Sequence, residues 1–279
     1  MSARVITVAN YKGGVGKTTT AVNLASGLAF LKNYRVLLID FDPQGNASIS
    51  LDVDIETLRY SVKDLLSGKM TNWKYLLWPK GEKLDILPAN ATLRDIEPEL
   101  MVDVNGRIRL KERLAPIRDR YDFIIIDTPP TVGLFLQAPL IAATEVIAPI
   151  DVGYFSLQGI RQLLEEINKV RSHLNPDLQI GGILLTKYDS RTSLSKQVED
   201  VLRKGFKEQA FKTMIRVNVD VIRAQAERKS IFAYDLASTG AADYKDLIEE
   251  IVGNVVIFPK RREKIGDKEP AYARDTRAN

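Results

Sequence analysis

Two lysines bracket three glycines in the run Lys12-Gly13-Gly14-Val15-Gly16-Lys17-Thr18-Thr19, and residues of these types at this spacing are suited to holding phosphate. The glycines let the backbone wrap closely around anionic oxygens where a Cβ would intrude, and the N–H groups of such a loop converge on the anion. Lys17 would neutralise the β- and γ-phosphates of a nucleotide, and the Thr18 hydroxyl would ligate Mg²⁺. Lys12 is the unusual member. Two lysines are costly to crowd together unless a polyanion is near, so the pair points to a triphosphate contacted from two sides. The plainer reading of Lys12 is a solvated turn lysine. Tyr11 stands where the usual G-x-x-x-x-G-K-[ST] spacing has its first glycine. Three carboxylates complete the set. Asp40, Asp42 and Asp127 each close or follow an apolar run, where they could hold Mg²⁺ or position an attacking water.

The elements that must place these groups are legible from periodicity. Val5 to Ala9 is an apolar, β-branched run before the glycines, and Ala21, Leu24, Ala25, Leu28 and Leu31 follow at helical spacing. Strand, glycine loop and helix in that order put the anion at a helix N-terminus, where the dipole favours it. Arg35 to Asp40 and Phe123 to Asp127 are continuous apolar runs ending in carboxylates, which fits parallel strands covered on both faces with ligands at their C-terminal ends. Asp40 and Asp42 alternate, so an extended segment would turn both to one side. Thr128-Pro129-Pro130 makes a stiff turn after the third of these strands. Val146–Ile150 and 180–186 supply further strands, joined through a helix with Leu157, Ile160, Leu163, Leu164, Ile167 and Val170 on one stripe. The expectation is an α/β fold, a doubly wound, mainly parallel sheet with helices on both faces.

The phosphate loop resembles the deviant Walker A motif of the ParA/MinD family of ATPases. The resemblance continues through Asp40-Phe-Asp42-Pro-Gln-Gly-Asn46 and Ile126-Asp127-Thr-Pro-Pro130, and less sharply to about Ala242. It implies a P-loop fold, ATP and Mg²⁺ as ligands, and slow ATP hydrolysis by an ATP-bound sandwich homodimer in which Lys12 reaches the partner's phosphates. It also implies Asp42 as the residue needed for hydrolysis, a more structural role for Asp40, metal-binding work for Thr18, Asp42 and Asp127, and a switch loop from Thr128. Asn218 matches the asparagine of a Pro-x-Asn segment that contacts adenine in partition members, while Arg216 stands in place of its proline. The partition members bind double-stranded DNA nonspecifically on the nucleoid and are released by a ParB-like centromere-binding protein. Related ATPases position a protein cargo through an adaptor instead.

Composition narrows the choices. The 279 residues include no cysteine, so a disulfide framework and a thiolate metal site are excluded, which also argues against the iron–sulfur relatives of this fold. The first apolar run leads into the glycine loop rather than a cleavage site, and no run is long enough to span a bilayer, so the expected place is the cytoplasm. A net charge of +4 permits nucleic-acid contact without requiring it. Basic residues concentrate late in the chain, and Arg191, Lys196, Arg216 and Arg223 are the candidates for a phosphate-backbone footprint; ordinary solvated helix faces would have the same composition. Asp220 falls where partition relatives often have a DNA-facing arginine. Trp73 and Trp78 are expected to pack rather than to mark a partner surface, and His173 to cap a helix end. One ATPase domain over 1–257 and a polar, basic, disordered tail over 258–279 are expected. The tail's lack of an apolar face argues against a membrane-anchored, MinD-like role, which leaves a metabolic phosphoryl-transfer enzyme as the remaining alternative to a DNA-partition or cargo-positioning ATPase.

Overall fold

The structure, a computed structural model, describes residues 2–153 and 156–253. The expected tail, and Val255 of the last expected helix, lie outside the described residues. Eight strands form one sheet: β1 (Arg4–Val8), β2 (Val36–Asp40), β3 (Trp78–Pro79), β4 (Leu84–Leu87), β5 (Phe123–Asp127), β6 (Glu145–Asp151), β7 (Gln179–Tyr188) and β8 (Ala210–Arg216), in the spatial order β3-β4-β2-β5-β1-β6-β7-β8. All pairings are parallel except β3 with β4. The order reverses around β1, with β5 on one side and β6 on the other, and such a switch point opens a crevice at the C-terminal strand ends.

Why the central strands are apolar throughout is visible in where their side chains go. Leu37, Ile39, Ile124 and Ile126 enter the core on one face, while Val36, Leu38, Phe123 and Ile125 enter the core on the other. Successive residues point to opposite faces, so a strand covered twice needs both sets apolar. Helices α1 (Lys17–Lys32), α2 (Leu134–Ala142), α3 (Ser156–His173), α4 (Ser193–Phe206), α5 (Val219–Ala226) and α6 (Thr239–Gly253) are the longer helices among the described residues. α1 is buried nearly all round, from Thr20 to Ala29, because α6 closes over its outer side. Gly27 permits that approach: a Cβ there would stand 2.2 Å from Ile248 Cδ1.

Two strands carry no recognisable sequence signal. β3 is two residues long and turns Trp78 onto the sheet edge. β8 lies beyond 180–186, the last strand expected from the sequence, and it places Arg216 at the C-terminal edge of the sheet rather than on a helix. Trp73 is buried and Trp78 partly so, as packing residues. His173 Nδ1 lies 3.1 Å from the Lys169 carbonyl at the end of α3.

Candidate functional site: a phosphate cradle at the C-terminal strand ends

A cleft of about 900 Å³ opens over the C-terminal ends of the strands, lined by Gly13, Gly14, Gly16, Lys17, Thr18 and Thr19 on one side and by Asp42, Thr128, Pro130, Lys187 and Arg216 to Asn218 around the rest. Gly14 and Gly16 have φ of 74° and 84°, a left-handed conformation that favours glycine. Gly16 is also the N-cap of α1, so the loop ends on free N–H groups at a helix N-terminus. The Thr186 hydroxyl, from β7, lies 2.9 Å from the Val15 carbonyl and 3.0 Å from that of Ile150, which pins the loop to the sheet. Gly13 faces Pro130, whose Cβ would lie 3.9 Å from a Cβ at that position, so the turn after β5 rests directly on the cradle.

Lys17 is 6% exposed, and its ammonium donates to the Lys12 carbonyl at 3.0 Å. Burial pushes its pKa down, against the opposing pull of Asp127 and Asp42. Asp127 is fully buried at the end of β5, and neither of its carboxylate oxygens has a hydrogen-bond partner among the described residues. The Thr18 hydroxyl stands close enough to favour its charged form, but burial first and then the Asp40 carboxylate hold its pKa well above the usual range. An unmatched buried carboxylate beside a buried ammonium and a threonine hydroxyl is a donor set that fits a hydrated Mg²⁺. Thr18, Asp127 and Asp42 are the residues that could hold one.

Asp40 and Asp42 do not act as a matched pair facing one way. β2 ends at Asp40, so the alternation expected of an extended strand stops there. Asp40 turns inward and accepts from the Ser48 N–H at 2.8 Å, the Ser48 hydroxyl at 2.7 Å and the Asp42 N–H at 3.1 Å. Burial raises its pKa to about 6 despite those donors. Asp42 instead lines the cleft, with one oxygen accepting from the Gln44 N–H at 2.9 Å.

Lys12 points away from the cradle in this chain. Its ammonium lies 2.7 and 2.9 Å from the two carboxylate oxygens of Asp151 and 3.2 Å from the Ser156 hydroxyl. Its backbone N–H donates to Asn10 Oδ1 at 2.9 Å, and Asn10 Nδ2 donates to the Pro149 carbonyl at 2.7 Å. Tyr11 is half-buried beside α3, and burial, then Glu166 and Glu165, lift its pKa to about 12.

The far wall of the cleft carries the remaining candidates. Arg216 is gripped by Asp243, which accepts from its Nε at 2.9 and 3.1 Å, its guanidinium NH2 at 2.5 Å and its backbone N–H at 2.9 Å. Asn218 is the N-cap of α5: its Oδ1 accepts from Asp220 and Val221, and its Nδ2 donates to Thr239 Oγ1 at 2.6 Å. Much of its polarity is therefore spent within the chain. Arg191 and Lys196 follow β7, Arg216 ends β8, and Arg223 lies on α5 after it, so all four basic candidates lie on or after the last two strands of the sheet. Arg191 pairs with Asp189 at 2.8 Å and Arg223 leans toward Asp220 at 3.5 Å, both side chains remaining mostly exposed.

Sequence reasoning missed Asn10, Asp151, Thr186, Gln225 and Asp243. Asp151 carried a usable signal, because it closes the apolar run Val146–Ile150 as Asp40 and Asp127 close theirs. Gln225 and Asp243 carried none. They reach the site only through folding, Gln225 Nε2 donating to Thr19 Oγ1 at 2.9 Å across 206 residues of chain.

A family model described as an AAA domain matches residues 3–180. The chain is 40% identical over 251 residues to the sporulation initiation inhibitor protein Soj of Bacillus subtilis (strain 168), a match covering 90% of this chain and 99% of that one. It is 39% identical over 249 residues to the chromosome partitioning protein ParA of Myxococcus xanthus (strain DK1622), covering 89% of this chain and 88% of that one. Among solved structures, cobyrinic acid a,c-diamide synthase from Mycobacterium smegmatis with bound ADP and magnesium superposes with a TM-score of 0.77 at 33% identity, over 88% of this chain and 93% of that one. The phosphate cradle, the parallel sheet that presents it and the near full-length match to Soj agree, and the chain belongs to the Soj/ParA family of chromosome-partitioning proteins.

Proposed function

We propose that the chain is an ATP-hydrolysing DNA-partition switch. Its ATP-bound form pairs into a homodimer, binds double-stranded DNA on the nucleoid without sequence preference, and lets go when a ParB-like partner or a cargo adaptor stimulates hydrolysis. The observation that carries this reading is Lys12, a second cationic side chain on the phosphate loop that is turned outward, away from its own cradle, and held by Asp151. A lysine so placed lies outside the lining of its own cleft, and on leaving Asp151 it could serve a facing copy.

Within one chain, Gly13 to Thr19 receive the phosphates through backbone N–H groups, and Lys17 neutralises their charge from a buried position. Thr18, Asp127 and Asp42 would hold Mg²⁺, which when bound would supply positive charge to offset that of the phosphates. Asp42, buried in the lining of the cleft, orients the attacking water. Lys12 leaves Asp151 to complete the partner's site. Positioning and charge neutralisation are most of what phosphoryl transfer requires, and a switch that persists until a partner arrives needs no fast intrinsic turnover. Among the described residues no helix is long and apolar enough to cross a membrane.

The solved relative named as a diamide synthase favours one competing reading, an enzyme that spends ATP on a small acid. Fluorescence anisotropy of a random-sequence duplex, titrated with protein in ATP or ADP at two salt concentrations, separates the two. The partition reading expects tight, salt-sensitive binding with ATP alone. A protein that dimerises with ATP yet ignores DNA in both states would overturn it.

A further inference from the structure

The C-terminal half of α1 backs a second cavity, about 520 Å³, that shares no lining residue with the nucleotide cleft. Along α1, Phe30 is 13 residues beyond Lys17, which at helical rise puts the two sites roughly 20 Å apart. The volume is within the range that holds a small ligand, roughly 300–1,000 Å³.

Three features of this cavity belong together. Its wall is apolar: Ala29, Leu51, Leu84 and Phe232 are buried, and the Phe30 ring at its lip is 65% exposed. Ser26 lines it too, is 6% exposed, and its hydroxyl has no hydrogen-bond partner among the described residues. The rim is cationic, with Lys80, Lys83, Arg228 and Lys229 set against the single carboxylate of Glu82. Two of the four, Arg228 and Lys229, have carboxylate partners outside the lining, which leaves Lys80 and Lys83 to carry the net positive charge of the rim. Lys80 donates to a neutral backbone carbonyl, that of Asp52, at 2.9 Å, and Arg228 is 3.4 Å from the Asp52 carboxylate. Lys229 pairs at 2.9 Å with Glu227, both half exposed to water, where such pairs are weak.

We propose that this cavity binds a small organic anion with an apolar body, an alkyl or aryl phosphate or carboxylate. The hydrocarbon lies against Phe30, Leu51 and Phe232, and the anionic head lies among the rim lysines. The same chemistry is displayed by a free amphiphile and by an anionic lipid headgroup; a cavity of this volume lined by apolar side chains favours the free molecule, whose body can enter it.

The test uses the full chain, with and without Mg·ADP, and the fluorescence of 1-anilinonaphthalene-8-sulfonate as probe. One saturable probe site is expected in both conditions, displaced by octyl phosphate at least about tenfold better than by octanol or inorganic phosphate. Ala233→Trp, which fills the cavity from an exposed wall position, should abolish the site. Lys83→Glu with Lys229→Glu should weaken octyl phosphate at least about tenfold and leave octanol nearly unchanged. Thermal melting establishes that both variants fold. The absence of a saturable site, displacement by octanol as good as by octyl phosphate, or indifference to both variants would overturn the proposal. So would sedimentation with anionic vesicles from a protein that octyl phosphate monomers fail to occupy, an outcome that assigns the rim to a membrane.

Discussion

Lys12 and Asp151 form an ion pair within one chain, the ammonium 2.7 and 2.9 Å from the two carboxylate oxygens. Burial alone would raise the Asp151 pKa, but Lys12, Ser156 and the Gly153 N–H together hold it below the usual range. If Lys12 serves a partner's nucleotide, each chain must break this pair to dimerise. Partly exposed pairs are worth at most about 1 kcal/mol, so two of them hold the dimerisation constant down by up to roughly 30-fold. Asp151→Asn should therefore dimerise at lower protein concentration with ATP, and Lys12→Ala should not dimerise at all, as read by light scattering. Gly153→Ala should act like Asp151→Asn, because a Cβ there would stand 2.7 Å from Lys12 Nζ. Dimerisation constants equal to that of the parent protein in both variants would remove the pair from the switch.

Asp127 makes the stability of the nucleotide-free protein depend on pH in a defined direction. Its folded pKa is raised well above the usual carboxylate range, and that of Asp40 to about 6. In the window from about pH 4 upward the folded chain then binds more protons than the unfolded one, so this stability falls as pH rises through the folded values. Asp127→Asn replaces a buried carboxylate with a neutral side chain and should raise the melting temperature at neutral pH by about 2 °C, the shift that corresponds to about 1 kcal/mol in a chain of this size. The same variant should lose the extra stabilisation that Mg²⁺ adds to ADP. A variant that melts lower than its parent, yet still responds to Mg²⁺, would contradict a metal role for this carboxylate.

The groups proposed to handle phosphate were legible in the sequence because they are local: Gly13 to Thr19 are contiguous, and Asp42 and Asp127 follow apolar runs whose burial on two faces dictates their composition. The sheet was legible for the same reason wherever a strand is central. At the edges the signal failed. β3 is too short to show a period, and β8, Ala-Phe-Lys-Thr-Met-Ile-Arg, is a lateral strand with Lys212 exposed and so lacks a continuous apolar run. Asp243 and Gln225 sit on helices among other polar residues, and nothing in their spacing distinguishes an inward carboxylate or amide from a solvated one.

The same edge separates two roles for its arginines. Arg216 spends its guanidinium on Asp243, which is itself buried, and lines the nucleotide cleft. Arg223 and Lys196 are exposed. Arg223→Glu combined with Lys196→Glu should weaken duplex binding and reduce its dependence on log salt by about 1 for each DNA phosphate that the protein no longer neutralises. Arg216→Ala should instead lower nucleotide affinity and leave the salt slope of the ATP-bound protein as it was. Anisotropy titrations at several salt concentrations read both, and an unchanged slope in the double variant would move the footprint away from α4 and α5.

Gln225 ties that surface to the phosphate loop. It sits on α5 two residues after Arg223, lines the cleft, and donates to the hydroxyl of Thr19, the residue after Thr18 on α1. Any movement of Thr19 when phosphate enters is thus felt by the helix that carries Arg223. A single hydrogen bond contributes about 1 kcal/mol, equivalent to roughly a fivefold change in an equilibrium constant. Gln225→Ala should therefore reduce the ratio of duplex affinities in ATP and ADP by about fivefold while nucleotide affinity stays within about twofold of the parent. Thr19→Val should produce the same reduction, and the double variant no more than either alone, since both remove one shared hydrogen bond. Additive reductions would mean that the two side chains act through separate routes, and an undiminished ratio in all three variants would mean that α5 takes its nucleotide signal from elsewhere, with the Arg216–Asn218 wall of the cleft as the remaining connection.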